Sequence, residues 1–335
     1  MTTYKEAGVD VEAGEEAVDR IRPMVQETFT PGVMADIGAF GSFFELDLGD
    51  VDQPVLVSSI DGVGTKVKVA ARAERYDTVG QDLVNHCVND VAVCGAKPLY
   101  FLDYVGTGTL DPGVAEQVVT GFATACKENG CALVGGEMAE MPDVYRDGDF
   151  DLVGTIVGVV DKADIVDGST VAPGDVLLGL PSTGIHTNGY TLARTVLFEE
   201  YDVDDTPDAL DGETVGEALL RVHRSYLEAI QALVDAGLAQ GIAHVTGGGL
   251  PGNVSRVVPD DCAAAIDYDA WTRPALFDLI QQLGDVPEAD MRQTFNLGMG
   301  LVAIVRDDDL ADARERLSDL EESPVVIGEV QEGGA

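Results

Sequence analysis

Short runs of apolar and β-branched residues in this chain end repeatedly in a glycine-rich or small polar segment. Val55 to Ile60 runs into Asp61-Gly-Val-Gly-Thr-Lys66, and Cys131 to Val134 runs into Gly135-Gly136. Residues 175–180 and 242–245 repeat the arrangement, and helical patterns lie between the runs. Strands that alternate with helices are typical of α/β layers. Because open α/β sheets bind ligands at the carboxyl ends of their strands, these segments are the first candidates for a functional site.

The length of 335 residues predicts about two domains. Residues 161–174 are polar and turn-rich and contain Pro173-Gly174, so we place the boundary there, with domains at 1–168 and 169–335. The pattern predicts one long helix over 212–236. It also predicts a strand over 150–160 that is buried on both faces.

The charge is strongly acidic, with 60 Asp and Glu against 20 Lys and Arg, a net charge of −40. Such a chain is repelled by nucleic acid and by anionic membranes, so we expect neither as a partner. An acidic interaction protein usually carries its charge as one block. Here the carboxylates are scattered through globular sequence, which favours a surface adapted to molar salt, as in halophilic archaea.

The five cysteines form no Cys-x-x-Cys pair, and most lie in apolar contexts. Buried free thiols in a reducing compartment are the plain interpretation. The first residues have no apolar signal core, and no apolar run approaches the ~20 residues that span a bilayer. The sequence therefore predicts a soluble, cytoplasmic protein.

A P-loop is excluded, because no lysine in the chain follows a glycine. The segment from Asp61 to Lys66 offers another route to a nucleotide. Its glycines let backbone N–H groups approach an anion, its lysine is a point charge for phosphate, and Asp61 can hold Mg²⁺. A plain β-turn with a polar tip fits the spacing equally well.

One face of the helix predicted over 77–95 carries Asn, His and Asp. At 100° per residue, these positions share that face: Asp82, Asn85, His86, Asn89 and Asp90. These residues are poorer helix formers than the Lys, Glu and Arg of an ordinary solvent face. The pattern indicates a stripe that faces a ligand, and an ordinary amphipathic helix is the alternative.

Three further segments carry polar candidates. Gly135-Gly136-Glu137 with Glu140 fits metal–nucleotide or ribose contacts, and a solvent-facing loop is the alternative. Residues 181–189 place His186 between a strand and a helix, where small hydroxyl residues make either an anion site or a plain N-cap. His244 precedes the Gly247 to Gly249 turn. Each histidine is a candidate for acid–base or phosphate chemistry, with a structural role as the alternative.

Taken together, these motifs resemble phosphoribosylformylglycinamidine cyclo-ligase, also called aminoimidazole ribonucleotide synthetase. The resemblance runs in order from about residue 4 to the C-terminus. Six segments carry it: Tyr4-Lys-Glu-Ala-Gly-Val-Asp10, Asp61-Gly-Val-Gly-Thr-Lys66, Cys87-Val-Asn-Asp90, Gly135-Gly-Glu-Met-Ala-Glu-Met-Pro142, His186-Thr-Asn-Gly-Tyr190 and His244-Val-Thr-Gly-Gly-Gly249. Met138, Thr183 and Arg22 depart from the residues expected there, and none of the three removes a charge or a glycine from a motif.

The resemblance implies a homodimer of two α/β domains, with an N-terminal ATP-binding and dimerisation domain whose strands form a barrel across the dimer. It implies ATP-dependent closure of formylglycinamidine ribonucleotide to aminoimidazole ribonucleotide, with ATP and Mg²⁺ as cofactors. The catalytic residues it implies are Asp61, Lys66, Asp90 and His186, with Asp61 and Asp90 as the metal ligands.

The remaining contacts implied by the resemblance divide by ligand. For ATP they are Gly62, Gly64, Thr65, Lys66, Asn89, Asp90, Gly135, Gly136 and Glu137. For the substrate they are Gly38, Gly41 and Ser42, in a segment over the site, with His186, Thr187, Asn188, His244, Thr246 and Gly247.

Related enzymes are less consistent with the sequence. A selenophosphate synthetase is expected to carry a reactive cysteine near its N-terminus, whereas the first cysteine here is Cys87. A hydrogenase-maturation dehydratase would end in cysteine, and a thiamine-phosphate kinase would lack the block from Gly135 to Pro142. A regulatory module that has lost activity is the alternative from another class. The intact acidic and lysine positions argue against it.

Overall fold

The computed structural model describes residues 3–38, 40–49 and 51–333. It divides into two compact units, one containing residues 1–91 and 97–159 and the other containing 92–96 and 160–335. Helices and strands mix in both units, so the predicted α/β fold class is confirmed. Among the described helices, none is both long and apolar enough to cross a membrane.

The first unit begins with a helix that the sequence pattern did not predict, α1 (Val11–Gln26). The elements that follow are β1 (Pro54–Gly62), a 3-10 turn (Gly64–Lys66), α2 (Val67–Arg72), α3 (Asp77–Ala92), β2 (Lys97–Thr107), α4 (Pro112–Glu128), β3 (Ala132–Glu140) and β4 (Phe150–Asp161). The sheet order is β1-β4-β2-β3. Strand β2 runs parallel to β3 and antiparallel to β4.

Gly80 of α3 and Gly121 of α4 let the backbones of these two helices come into direct contact. A Cβ added to Gly80 would lie 2.2 Å from the Val118 carbonyl oxygen, and one added to Gly121 would lie 2.1 Å from that of Asp77. Helix α4 itself begins at an Asp111 cap, whose carboxylate accepts hydrogen bonds from the N–H groups of Gly113 and Val114. The close crossing fixes α3, and therefore its polar face.

Two predictions for this unit need correction. β4 alternates between buried and half-buried positions over most of its length, so it is not buried equally on both faces. The strand predicted to stop at Val134 continues to Glu140 as β3, because its parallel pairing with β2 continues through Gly135 and Gly136. Gly135, Gly136 and Glu137 therefore lie in a strand, where a loop was expected.

The second unit is built on a sheet with the order β6-β8-β5-β9-β7. Its strands are β5 (Val176–Pro181), β6 (Ala239–His244), β7 (Cys262–Ile266), β8 (Met299–Val305) and β9 (Val325–Glu332). Its helices are α5 (Tyr190–Glu200), α6 (Val215–Leu220), α7 (Leu227–Val234), α8 (Gly249–Val254), α9 (Ala275–Gly284), α10 (Glu288–Thr294) and α11 (Leu310–Asp319), with 3-10 turns at Lys162–Asp164, Asp208–Leu210 and Asp307–Asp309. Its core packs Leu177, Val302, Ile304 and Ile327 on one another.

The long helix predicted over 212–236 is wrong. The structure has α6 and α7 with an irregular stretch between them over residues 221–226. His223 and Tyr226 in this stretch are fully buried, and the Tyr226 hydroxyl donates to the Pro181 carbonyl oxygen at 2.8 Å. These tertiary contacts override the helical propensity of the sequence.

Strands β5 and β6 point the same way, because each is antiparallel to β8, which lies between them. Leu180 of β5 and His244 of β6 both pair with Leu301. The carboxyl ends of these two strands therefore lie at the same end of the sheet, and so do the segments that follow them. This register places the His186 loop beside the His244 turn.

Candidate functional site

In the first unit, β1 and α3 bring two predicted carboxylates onto one histidine. The Asp61 carboxylate lies 2.9 Å from Nε2 of His86, and the Asp90 carboxylate lies 3.8 Å from the same nitrogen. Ser59 of β1 donates to Asp90 at 3.1 Å. The side chains of Asp61 and Asp90 stay 42% and 26% exposed, whereas His86 is buried. Asp61 and Asp90, predicted as a pair, therefore lie together, and both side chains remain partly accessible to solvent.

Burial and the nearby carboxylates shift the pKa of His86 in opposite directions. Burial lowers its pKa, but the Asp61 hydrogen bond and the charges of Asp90, Asp61 and Asp82 outweigh burial, so the pKa of His86 is raised. Most of the polar face of α3 is buried, since Asp82 and Asn89 are fully buried and Asn85 nearly so, whereas Asp90 at its end is partly exposed. The Asn85 side-chain oxygen accepts a hydrogen bond from Asn129 at 2.9 Å. The face is an internal polar layer, unlike the solvent face of an ordinary amphipathic helix.

Lys66 points away from the tip of its glycine turn. Gly64 and Thr65 at the tip are exposed, whereas Lys66 is fully buried, with its ammonium 2.7 Å from the carboxylate of Asp82. Burial lowers the pKa of Lys66, and the Asp82 charge opposes that effect. At the start of the turn, the Gly62 N–H donates a hydrogen bond to the Asp61 carboxylate at 2.7 Å. The Lys66 ammonium therefore lies apart from exposed Gly64, with which it was predicted to act.

Two of the predicted glycine segments of the first unit, those containing Gly38 and Gly135, line a common cavity of 1410 Å³. The described residues that line it do not include Asp61, Lys66 or Asp90. Ser42 donates to the Val134 carbonyl oxygen at 2.5 Å, and a Cβ added to Gly135 would lie 3.2 Å from the Ser42 hydroxyl. Gly38 adopts a φ of +103°, which favours glycine, beside the Arg22 guanidinium. Gly38, Gly41, Ser42 and Gly135 to Glu137 all line this cavity. Ala39 of the same segment lies outside the described residues.

Asp103 also lines the cavity and was missed by the sequence analysis. It sits on β2 opposite Gly136 of β3, and a Cβ on Gly136 would lie 2.1 Å from its carboxylate oxygen. Desolvation, with the nearby charge of Glu137, raises the pKa of Asp103 to about 7. Gly136 is therefore required for the space it leaves to this carboxyl group.

In the second unit, the loop after β5 is held by a network around Asn296. Its side-chain amide donates to the carbonyl oxygens of Gly184 at 2.9 Å and Ile185 at 3.2 Å, and its oxygen accepts from Ser182 at 3.0 Å. His186 in this loop is buried with a φ of +67°, and Nε2 accepts the Thr183 N–H at 3.3 Å. The loop is thereby fixed in a left-handed conformation that is unusual for a residue with a side chain.

The loop continues into α5 through Thr187, Asn188 and Gly189. Asn188 donates to the Thr187 hydroxyl at 3.3 Å, and the Gly189 cap of α5 supplies no side-chain hydrogen bond. Unlike Asp111 of α4, the cap residue of α5 therefore has no side chain that accepts from the first-turn N–H groups. A helix N-terminus of this kind favours an anion.

The turn after β6 is fixed by Asn253 of α8. Its amide donates to the carbonyl oxygens of Thr246, Gly247 and Gly249, and its oxygen accepts from the Thr246 hydroxyl at 3.2 Å. A Cβ on Gly247 would lie 3.2 Å from Asn188. The two predicted substrate segments, 186–188 and 244–247, are therefore in contact.

His223 also contacts the segments 186–188 and 244–247, although no motif contained it. The isolated histidine in Arg-Val-His-Arg was the available sequence signal, but it fell inside a predicted helix. Asn253 and Asn296 were also missed, since polar residues that hold loops through backbone contacts carry no spacing signature.

Two family models match the chain on either side of the unit division. "AIR synthase related protein, N-terminal domain" covers residues 46–160, and "AIR synthase related protein, C-terminal domain" covers 172–335. The two matches and the α/β units define the class as AIR synthase related proteins.

Curated relatives narrow this class. A phosphoribosylformylglycinamidine cyclo-ligase of Anaeromyxobacter sp. (strain Fw109-5) is 49% identical, with 99% of this chain and 96% of the relative covered. One of Myxococcus xanthus (strain DK1622) is 48% identical over the same shares. The chain belongs to the phosphoribosylformylglycinamidine cyclo-ligase family.

Solved structures support the fold. A thiamine-monophosphate kinase from Stenotrophomonas maltophilia K279a aligns with a TM-score of 0.69 at 18% identity, over 96% of this chain and 94% of its own. The hydrogenase maturation protein HypE in complex with ATP aligns with a TM-score of 0.67 at 19% identity, over 98% and 89%. At such identities the likeness concerns the fold alone.

Proposed function

We propose that this chain uses ATP to close formylglycinamidine ribonucleotide into aminoimidazole ribonucleotide, releasing ADP and phosphate, as a step of purine biosynthesis. The observation that carries the proposal is the 49% identity to a named cyclo-ligase over 99% of the chain. The pairing of Asp61 and Asp90 supports it, since both belong to the motifs on which the resemblance rests. No observation on the described residues favours the regulatory or kinase alternatives.

The chemistry explains why phosphate and carboxylates are needed. An amide-type carbonyl oxygen is a poor leaving group. Its attack on the γ-phosphorus breaks the bond to ADP, and loss of the proton on the amide nitrogen gives an iminophosphate. The internal amidine nitrogen then attacks the activated carbon, the carbon–oxygen bond breaks, phosphate leaves with that oxygen, and the nitrogen loses a proton. The protein must align these atoms and stabilise charge on the transferring phosphoryl group.

In this proposal Asp61 and Asp90 hold Mg²⁺ at the ATP phosphates. Carboxylate oxygens of both residues lie within 4 Å of the same His86 nitrogen, and such hard oxygens are the ligands Mg²⁺ prefers. When bound, Mg²⁺ neutralises phosphate charge. Gly62, Gly64 and Thr65 are assigned to ATP from their motif: Gly64 and Thr65 lie on the exposed turn, whereas the Gly62 N–H donates to Asp61. Asn89 lies beside Asp90 on α3.

The role proposed for Lys66 depends on its release from Asp82. In the described state its ammonium is paired with Asp82, so a phosphate contact requires exchange of one anion for another. We retain Lys66 as a phosphate ligand on the strength of its motif, with its contact to Asp82 as the resting arrangement.

The 1410 Å³ cavity is assigned to the nucleotide and the segment that covers it. Gly135, Gly136 and Glu137, assigned to ATP, and Gly38, Gly41 and Ser42, assigned to the substrate, all line this cavity. The hydrogen bond from Ser42 to the Val134 carbonyl oxygen joins the two segments. The cavity volume is at least that of ordinary ligand pockets, which are roughly 300–1,000 Å³.

The second unit is assigned to the substrate. Its contacts are His186, Thr187 and Asn188 after β5, with His244, Thr246 and Gly247 after β6. The α5 N-terminus without a side-chain cap supports binding of the ribose phosphate there. His186, in its fixed left-handed loop, is assigned a catalytic role.

The assembly assigned to the chain is a cytoplasmic homodimer whose N-terminal domain (1–168) binds ATP and dimerises, with residues 169–335 as the second domain. Strand β1 lies at the edge of its sheet among the described strands, and Leu56 and Ile60 on one of its faces are 59% and 67% exposed. An edge strand with exposed apolar side chains favours pairing with a second copy. The five free cysteines agree with a reducing compartment. Light scattering in high salt tests the dimer, and an active monomer contradicts it.

The function is tested by ATP turnover with and without formylglycinamidine ribonucleotide. We expect ADP and aminoimidazole ribonucleotide to form in equal amounts, with little ADP when the substrate is omitted. Nucleotide binding without turnover would support a regulatory module. Equal ADP release in both conditions would exclude the cyclo-ligase reaction.

A further inference from the structure

Three of the chain's four histidines are packed together in the second unit. His186, His223 and His244 are 1%, 0% and 6% exposed. His186 and His244 belong to the predicted substrate segments, whereas His223 comes from the irregular stretch between α6 and α7. We name the contacts among Thr187, His223 and His244 the histidine relay.

Both ring nitrogens of His223 are at hydrogen-bond distance from a residue of a substrate segment. Its Nδ1 lies 3.4 Å from the Thr187 hydroxyl, and its Nε2 lies 2.9 Å from Nε2 of His244. The ring stacks on His186 with centroids 3.9 Å apart and an interplanar angle of 12°. His223 therefore bridges the loop after β5 and the end of β6.

The surrounding backbone is shaped for this bridge. A Cβ on Gly300 of β8 would lie 2.4 Å from the His186 ring and 2.2 Å from the Tyr226 hydroxyl. Gly300 leaves the space in which these rings sit, and the helix break over 221–226 turns His223 inward. The arrangement thus involves three separate elements of the unit.

The short contact between two Nε2 atoms restricts the protons on both rings. One nitrogen must carry hydrogen and the other must offer a lone pair. When both rings are neutral, two arrangements satisfy these contacts. If His223 donates from Nε2, its Nδ1 accepts from the Thr187 hydroxyl, and His244 carries its hydrogen on Nδ1. If His244 donates from Nε2, His223 donates from Nδ1 to the Thr187 hydroxyl, and Nδ1 of His244 carries no hydrogen. The hydrogen on His244 and the direction of the Thr187 hydroxyl are therefore set together.

We propose that His223 is a positioning residue for the substrate, fixing the tautomer of His244 and the direction of the Thr187 hydroxyl through the histidine relay. The ligand chemistry is the ribose phosphate of formylglycinamidine ribonucleotide, so the assignment rests on the proposed function. A phosphate or hydroxyl that meets these groups is recognised only when its own donors and acceptors match theirs.

Three substitutions separate the two links. His223→Phe keeps an aromatic ring against His186 and removes both nitrogens. His223→Gln places its amide near the former Nε2 and can keep the His244 link, while His223→Asn reaches only the former Nδ1 and can keep the Thr187 link. We expect His223→Phe to raise the KM for formylglycinamidine ribonucleotide by ~10-fold, the equivalent of one ordinary hydrogen bond. The KM for ATP should stay within about twofold, and Gln should recover more of the loss than Asn, because the 2.9 Å link is the shorter one.

Tyr226→Phe is the matched control. It removes one buried hydrogen bond, to Pro181, from the same stretch of chain and leaves the histidine relay intact. We expect it to lower the melting temperature comparably to His223→Phe without separating the two KM values. If both variants change both KM values alike, or if His223→Phe leaves the substrate KM unchanged, His223 has only a packing role.

A spectroscopic measurement keeps the proposal independent of turnover. Nitrogen-15 NMR of histidine-labelled full-length protein distinguishes the tautomers of His244. One tautomer should dominate in the unmodified chain, and His223→Phe should yield averaged ring shifts. Unchanged His244 shifts in that variant would overturn the positioning role, whether or not the protein forms aminoimidazole ribonucleotide.

Discussion

The Lys66 ammonium lies 2.7 Å from the Asp82 carboxylate, and both side chains are fully buried. A buried ion pair is tolerated when its charges remain matched, whereas removal of one partner leaves an uncompensated charge in a low-dielectric interior. The pair joins the segment after β1 to the polar face of α3. It thus links the turn with exposed Gly64 to the helix that carries Asp90.

We expect Lys66→Met and Asp82→Asn each to lower the free energy of unfolding by about 3–5 kcal/mol. The double variant Lys66→Met/Asp82→Asn should lose less than the two single changes added together, because it leaves neither charge unpaired. Urea unfolding at constant salt measures all three. Additive losses would mean that the two charges do not interact in solution.

Asp61→Asn and Asp90→Asn should each abolish turnover while the far-UV spectrum and melting temperature remain near those of the unmodified protein. The reason is that an amide supplies no charge to a metal–phosphate complex. Turnover is measured at saturating Mg²⁺ and ATP. Asp151→Asn, on β4, is the control and should remain active. Near-normal turnover in either site variant would contradict the metal assignment.

Asp103 predicts a pH-dependent contribution to stability. Its pKa is raised from the ordinary 3.8 to about 7 in the folded chain. Folding therefore binds a proton between these values, so the stabilisation is complete below about pH 4 and is lost as pH rises through about 7. The other charged groups that line the cavity are Asp10, Glu15, Asp19, Arg22, Asp36, Glu137 and Glu140.

Asp103→Asn removes that titration. The full shift corresponds to about 4 kcal/mol, and because the carboxyl is half-buried beside an open cavity we expect about 1–2 kcal/mol. The variant should unfold at higher urea than the parent at pH 8 and lose this advantage towards pH 5. A stability difference that is constant from pH 5 to 8 would reject the raised pKa.

The sequence predicted the alternation of strands and helices because strand residues and glycine-rich ends recur with regular spacing. Residue types and helical periodicity, which are local information, also predicted the unusual polar face of α3. The joint role of Asp61 and Asp90 was implied by the family resemblance and not by a local pattern. The direction of the Lys66 side chain depends instead on Asp82, sixteen residues further along the chain, and no local pattern encodes it.

The irregular stretch over 221–226 shows where a local sequence pattern fails to predict the structure. Residues 212–236 favour a helix locally, yet buried contacts of His223 and Tyr226 with two other segments interrupt it. Asp103 and Gly136 show the same dependence, since their pairing follows from the register of β2 and β3. Sites built from cross-strand neighbours become visible only when the register is known.

The net charge of −40 predicts a requirement for salt. In dilute buffer the surface carboxylates repel one another, whereas at ~1 M salt the Debye length falls to roughly 3 Å and neighbouring charges are screened. We expect the melting temperature and activity to fall as KCl is reduced well below ~1 M, and we attribute the loss mainly to charge. Melting is followed across KCl concentrations and, separately, in sucrose at low salt. Sucrose is excluded from the protein surface but screens no charge, so full rescue by sucrose would assign the effect to exclusion. A melting temperature indifferent to KCl would reject adaptation to high salt.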